Sequence, residues 1–478
     1  MSYRSNNIKP EIQVLSDEMI MRVHNYSIDI LENVGIRVES KRAIEVFARS
    51  GGVKRDGELV YIQSELVNHA IKMARSEIAI FDKEGKPAFN LGKGHRTRFG
   101  IGVTNLNYQD IDTDQIRKIT REHTQTCTRL GDMLENFDMI STIGIPSDVS
   151  TEALDLYNTL DLYTNTSKPE VILVTESTRM EDVFKLLTFL HGDISSSPFI
   201  IPYFNPITPL VLNRDTTDKI FVTMDYDLPI SYSNYSMYGG TSPITEGGTL
   251  ALLNAELLAG LVFCQLVKEG SPVILGSLPA GFNMHTMGSY YSSSSYLLNL
   301  ACAEMMAYYD IPHCGTSGSG NGYGPDLIAA GDLWFNHLTS CIGKVGMAPF
   351  VGGNLDSTAF SPSTVVMSDY IIGMARSFSK GFTLDDNTVN IEEMKTVGHG
   401  GNYLTSRQTL ESLGTLSHIQ DLWPAMSIHK WHEQGNPTPK KLLIDYTRAL
   451  YEKAREAVEE NRDLLARGEE YIKSLLIS

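Results

Sequence analysis

Cysteine is scarce in this chain and never closely paired. Five residues in 478, Cys127, Cys264, Cys302, Cys314 and Cys341, are scattered with no CxxC spacing. An odd, dispersed set argues against a disulfide framework and for a reducing compartment. Positive charge is also short: 40 Lys and Arg against 57 Asp and Glu leave a formal net charge of −17. That balance disfavours nucleic acid or an anionic membrane surface as the main partner. The opening MSYRSNNIKPE has no apolar stretch of the kind a secretion signal needs. No run of about 18 apolar residues is expected to span a bilayer. Phosphate anchoring is missing too, because no GxxxxGK(S/T) loop occurs. What remains is a cytoplasmic globular protein whose partners are sought among small molecules and other proteins.

What is present is ordinary globular composition, 42% hydrophobic and 20% charged, arranged in three stretches. Residues 1–95 read as an N-terminal extension. Ser16 caps a helix that ends at Gly35, further helices cover Arg42 to Ala48 and the residues after Ser64, and a hairpin turns at Glu84-Gly85. From about residue 96 short apolar runs alternate with helical stretches. Strands are expected at Thr97–Ile101, Asp138–Ile143, Val171–Thr175, Phe199–Phe204, Pro229–Tyr232, Val273–Gly276, Ile311–Gly315 and Ala348–Gly352. Their recurrence every ~30 to 45 residues is the size of a βα unit. Eight apolar strands with intervening helices predict an α/β fold, a (β/α)8 TIM barrel over residues 96–380 with its site at the strand C-termini. Residues 381–478 form a C-terminal extension ending in one long amphipathic helix, with Leu443, Tyr446, Leu450, Ala454, Val458 and Leu465 on its apolar face.

At the expected strand ends lysine is nearly absent, so a Schiff-base nucleophile is not in evidence. Asp110-x-Asp112-x-Asp114 opens like a calcium loop, but Gln115 and Arg121 replace the glycine and glutamate that such a loop needs, leaving a turn or capping role. His313-Cys314 has no third ligand at a recognisable spacing, so no metal site is assigned; His313 is kept as a substrate-binding candidate because its strand position points it at the mouth. Five glycines between Gly315 and Gly324 make either a flexible loop or a place where backbone closely approaches a large ligand. Aromatic residues crowd the strand ends. Phe99, Tyr203, Tyr232, Tyr235, Phe350 and Phe360 are candidates for a cage that holds a cation by its ring faces, with Asn205 as a polar partner.

Several segments, in order, resemble the trimethylamine:corrinoid methyltransferase superfamily nearly end to end. They are Leu15-Ser-Asp-Glu with Ile30–Val38, Tyr108–Arg117, Leu130–Asp138, Ser242-Pro-Ile-Thr with Gly248-Thr-Leu, Pro272–Gly276, Gly381–Asp385 and Val397-Gly-His-Gly-Gly-Asn-Tyr-Leu404. Founding members carry pyrrolysine in the barrel, whereas this chain uses standard residues throughout, so it resembles the non-pyrrolysine branch. That resemblance implies methyl transfer from a quaternary amine, glycine betaine or a related betaine, to the Co(I) of a corrinoid (cobalamin) on a separate protein. Demethylation of another methylamine such as trimethylamine, or non-catalytic betaine binding, stays open as an alternative. The large ligand at Gly318, Gly320 and Gly322 would then be the corrinoid. The N-terminal region and the final helix suit a homo-oligomer.

Overall fold

The computed structural model describes residues 6–416 and 422–477. Eight parallel strands run in chain order around a closed ring: β1 (Arg98–Ile101), β2 (Met139–Ser141), β3 (Glu170–Ile172), β4 (Ile200–Phe204), β5 (Ile230–Tyr238), β6 (Val273–Asn283), β7 (His313–Cys314) and β8 (Met347–Val351). Closure comes from β8 pairing with β1. Each strand leads to a covering helix: α1 (Arg121–Met133), α2 (Leu154–Asn165), α3 (Ser177–His191), α4 (Arg214–Asp225), α5 (Glu246–Val267), α6 (Ser293–Tyr309), α7 (Leu327–Ile342) and α8 (Pro362–Lys380). The (β/α)8 barrel read from the sequence is therefore observed, and each of the eight expected strands overlaps an observed one.

Alternation along the strands divides the apolar residues into two sets. Met139, Val171, Ile201, Tyr203, Ile274, Cys314, Met347 and Phe350 form an interior cluster. Phe99, Ile140, Ile172, Ile200, Tyr232 and Leu275 belong to the larger core between strands and helices. The N-terminal hairpin, Glu77–Phe81 paired with Pro87–Gly92, buries Ile78, Ile80, Phe89 and Leu91 in the interior cluster. It closes the N-terminal end of the barrel, because Phe81 N bonds Pro198 O and Lys83 N bonds Ser167 O, just ahead of β4 and β3.

Two expectations need correction. Helix α5 is long and apolar enough, by length and composition, to cross a membrane, although no such run was expected. It is hydrophobic all round because it is enclosed on all sides: residues Thr249–Gln265 are buried beneath the N-terminal helices and against β5. The final amphipathic segment is two helices, Pro439–Val458 and Arg462–Ile477, separated by the tight turn Glu459–Asn461. The first is pinned across the β1–α1 connection by ion pairs of Lys440 with Asp114 (2.7 Å) and of Arg448 with Asp112. The acidic triplet thus has structural work, with Asp110 accepting from Asp112 N and Thr113 N in a turn.

Candidate active site

Beyond the barrel proper, β5 and β6 stay paired in register from Ile230↔Val273 to Tyr238↔Gly281. The chain then folds back as Gly288–Tyr290 on Gly281–Asn283, so a β-ribbon rises over one side of the mouth. Facing it are the connections after β7 and β8. Asn321 joins the two sides: its Oδ1 accepts from Tyr291 N (3.1 Å) and its Nδ2 donates to Tyr291 O (2.8 Å). Beneath them Asn354 Nδ2 donates to Gln109 Oε1 and Thr364 Oγ1, both 2.8 Å, while Gln109 Nε2 reaches Tyr323 O at 2.7 Å. Amide side chains thus lock the connections after β1, β6, β7 and β8 into one frame.

Within that frame aromatic rings meet. Tyr203 and Phe350 pack edge to face at 4.8 Å and 88°. The Tyr203 hydroxyl is buried among Ser233, Asn205 and Cys314 without completing a hydrogen bond. Ser231 and Ser233, on the same interior row of β5, also leave their hydroxyls unpaired. Burial raises the tyrosine well above its ordinary pKa, so it stays a neutral phenol. Higher in the mouth stand Tyr235, 37% exposed, and buried Tyr291, each raised by burial and each feeling the charge of Asp356.

Asp356 sits in the loop after β8, where Leu355, Asp356 and Ser357 all have positive φ of 52°, 57° and 57°. Three consecutive non-glycine residues in this region are costly, ~1 kcal/mol or more each, and persist only where surroundings enforce them. Here the enforcing groups are carbonyls of the glycine-rich loop: Leu355 N bonds Gly322 O (2.8 Å) and Asp356 N bonds Gly320 O (3.2 Å). One Asp356 oxygen accepts from Ser289 Oγ on the ribbon, while the other is buried with no partner. Burial holds its carboxyl above the usual carboxylate range.

Of the residues expected to line the mouth, Tyr203, Phe350 and Tyr235 lie on its inner side. Asn205 is exposed at the rim, its amide donating to Ser233 O at 2.8 Å. The others point elsewhere. Tyr232 faces α5, packed on Gly260, where a Cβ would fall 2.1 Å from the ring. Phe99 is edge-on to His337 of α7 at 5.3 Å. Phe360 is fully buried in the small sheet formed with Gly353–Asn354 and Asn107–Gln109. His313 alternates with interior Cys314 and so faces the helix layer, where burial pushes its pKa down to about 3. Tyr232, Phe99 and His313 each stand one residue out of phase with the interior row of its strand, which reverses a side chain, whereas Phe360 lies beyond β8.

The glycines have a different role from the one expected. Gly318 packs on Val351 with φ of 94°, Gly320 lies against Asp332, and Gly322 against Ala329, where a Cβ would come within 2.5 Å. All three are buried within their own chain, so the spacing serves close packing of the loop on α7 and β8. Sequence reasoning missed Tyr291 and Asp356. The first follows a strand absent from the expected pattern, and the second is an acid in a loop with no motif to mark it. No group of three or more His, Cys, Asp or Glu suited to hold a metal ion occurs among the described residues.

Comparison with known proteins places this geometry. The family profile described as trimethylamine methyltransferase (MTTB) matches residues 2–463. The chain is 25% identical over 468 residues to trimethylamine methyltransferase MttB of Desulfitobacterium hafniense (strain DSM 10664 / DCB-2), covering 94% of each chain. It is 26% identical over 406 residues to glycine betaine methyltransferase of Desulfitobacterium hafniense (strain Y51), covering 84% of each. Among solved structures it resembles the Methanosarcina barkeri monomethylamine methyltransferase (MtmB), with a TM-score of 0.54 at 10% identity over 95% of this chain and 89% of that one. At that identity the likeness speaks for the barrel fold alone.

Proposed function

Because the chain belongs to the trimethylamine methyltransferase family and is a methyltransferase, we propose that it moves a methyl group from a quaternary amine, glycine betaine or a related betaine, to the Co(I) of a corrinoid carried by a separate protein. The observation that carries this reading is the inner mouth, where Tyr203, Phe350, Tyr235 and Tyr291 gather aromatic surface around neutral hydroxyls. Ring faces attract a methylated ammonium that cannot itself donate a hydrogen bond. Such a substrate needs no general acid. As the N–CH3 bond breaks and the CH3–Co bond forms, the nitrogen leaves as a neutral tertiary amine. The protein's contribution is to hold the methyl in line and to keep water away.

A large methyl acceptor needs a surface to dock on. Leu106, Ile207, Ile244, Met284 and Met287, on the connections after β1, β4, β5 and β6, and Leu327 at the start of α7, are each more than half exposed. An apolar rim around a site supports a protein partner there. The chain is further proposed to act in the cytoplasm as a homo-oligomer. Phe382, Leu384, Ile391, Leu404, Leu410 and Leu413, in the segment after α8, are also each more than half exposed, and a second copy would cover them.

Incubating the protein with reduced cobalamin and a panel of betaines, while following the Co(I) spectrum, tests the proposal. Consumption of Co(I) with one or more betaines is expected. Folded protein that leaves Co(I) unchanged with every betaine and with tetramethylammonium rejects the methyl transfer.

A further inference from the structure

Among the aromatic rings and neutral hydroxyls of the mouth described above stands one carboxylate, Asp356. Its position is built rather than incidental. The residue and both its neighbours are held at positive φ, and its backbone is fixed by Gly320 O and Gly322 O. One oxygen is taken by Ser289, and the other is buried without a partner beside Tyr235 and Tyr291. It has no ion-pair partner among the described residues. A buried, unpaired carboxylate oxygen among aromatic rings is an unfinished interaction, and a cation completes it.

Resting on the proposed quaternary-amine chemistry, we propose that Asp356 supplies the counter-charge for the substrate's ammonium group and thereby sets substrate choice by the distance between that nitrogen and any carboxylate. In glycine betaine one methylene separates the two charges, so an Asp356 that attracts the nitrogen also repels the nearby carboxylate. Three methylenes, as in γ-butyrobetaine, let the carboxylate reach the solvent at the rim. A substrate with no carboxylate avoids the conflict entirely. The site thus takes a quaternary ammonium whose negative group is absent or several bonds away. Positive charge fades from the nitrogen as the methyl leaves, so Asp356 favours the bound substrate more than the transition state. Its contribution belongs to affinity, not to the chemical step.

Calorimetric titration of the full-length protein with tetramethylammonium, γ-butyrobetaine and glycine betaine tests this directly. The first two are expected to bind about tenfold or more tighter than glycine betaine, given two like charges a few ångströms apart in a half-buried site. Asp356→Asn should weaken tetramethylammonium about tenfold and narrow the gap between the two betaines, and Asp356→Glu should restore much of both. In turnover with reduced cobalamin, Asp356→Asn should raise KM with kcat unchanged or higher, a split that a merely structural role does not produce. Equal binding of the two betaines by the unaltered protein overturns the inference even if the variant fails to fold, and so does an Asp356→Asn protein with unaltered affinities. Failure of the unaltered protein to bind any of the three overturns both this inference and the function it rests on. Binding with the expected preferences but no consumption of Co(I) leaves Asp356 as a cation-binding residue and rejects methyl transfer.

Discussion

The two ends of the barrel differ in how their charges are held. At the N-terminal end charged groups are tied into ion pairs and helix ends, with Glu170 the exception, both of its buried oxygens lacking a hydrogen-bond partner. The Asp138 carboxylate, 8% exposed, meets Arg96 (3.0 Å), Arg98 (3.1 Å) and Arg376, and accepts from Phe99 N at 3.0 Å. Lys168 donates to Gly131 O and Leu134 O, and Lys83 to Tyr163 O and Thr166 O, closing helix ends that would otherwise keep bare carbonyls. The hairpin seals the interior below. At the C-terminal end, hydroxyls of Tyr203, Ser231 and Ser233 and one oxygen of Asp356 have no partner, and the backbone of Leu355–Ser357 is strained. A barrel can keep strained backbone at its mouth because ion pairs at its base contribute to stability. Unmet bonding capacity at the mouth is what a ligand can use.

The largest test of this contrast removes an acid from each end. Asp138→Ala strands Arg98 and Arg376, whose side chains are 14% and 13% exposed, and should cost about 3–5 kcal/mol in urea unfolding. Asp356→Ala breaks no ion pair and should cost less than about 1 kcal/mol. Similar losses at the two sites would end the comparison.

Acid should reveal a second asymmetry, this time between the helix layer and the mouth. His313 and His337 are fully buried and neutral, each with its pKa pushed down to about 3 by burial, with Arg376 adding to the effect at His337. Their folded values lie below the ordinary 6.5, so the stability they contribute is present above pH 6.5. It is lost as the pH falls towards 3, because the unfolded chain takes up protons first. Each histidine contributes a slope of about 1.4 kcal/mol per pH unit in that window. Unfolding free energies measured from pH 7 to 4 should show it, and His337→Gln should remove one proton's share. An unchanged slope in that variant would mean His337 already reaches water.

How much of this was legible before folding follows from period and phase. Strands and helices were readable because apolar runs of the barrel are continuous where both faces are covered. That same continuity hid which face each residue takes. In Ile230–Tyr238 neither parity is marked, so Tyr235 and Tyr232 looked equivalent, yet one lies in the mouth and the other under α5. The glycine-rich loop was visible as composition, but its partners, Val351, Asp332 and Ala329, lie on elements whose approach only the tertiary fold sets. Asp356 carried no signal at all, since its importance comes from backbone conformation and from a serine 67 residues away.

A smaller effect separates stability from function within the mouth. Tyr203→Phe deletes a buried hydroxyl that completes no hydrogen bond, so the variant should unfold at the same denaturant concentration or be up to about 1 kcal/mol more stable. If the hydroxyl serves a ligand or its water, quaternary-ammonium binding falls while stability does not. A clear loss of stability would place the hydroxyl among the structural groups.

The smallest expected change bears on the strain itself. Leu355, at φ of 52°, precedes Asp356 and is partly buried, and its backbone N–H holds Gly322 O. Leu355→Gly keeps that hydrogen bond and relieves the left-handed penalty of about 1 kcal/mol or more, offset by the greater freedom glycine has when unfolded and by the lost packing of a leucine side chain. The net should be a gain within about 0.5 kcal/mol, read as a slightly raised Tm. Its effect on the mouth should be the reverse. A looser residue beside Asp356 places the carboxylate less accurately, so tetramethylammonium affinity falls by a few-fold while the fold holds. If Leu355→Gly stabilises the protein and binding is undiminished, the strain at residues 355–357 is incidental to the site, and the contrast between an ion-paired base and a strained mouth loses its functional meaning there.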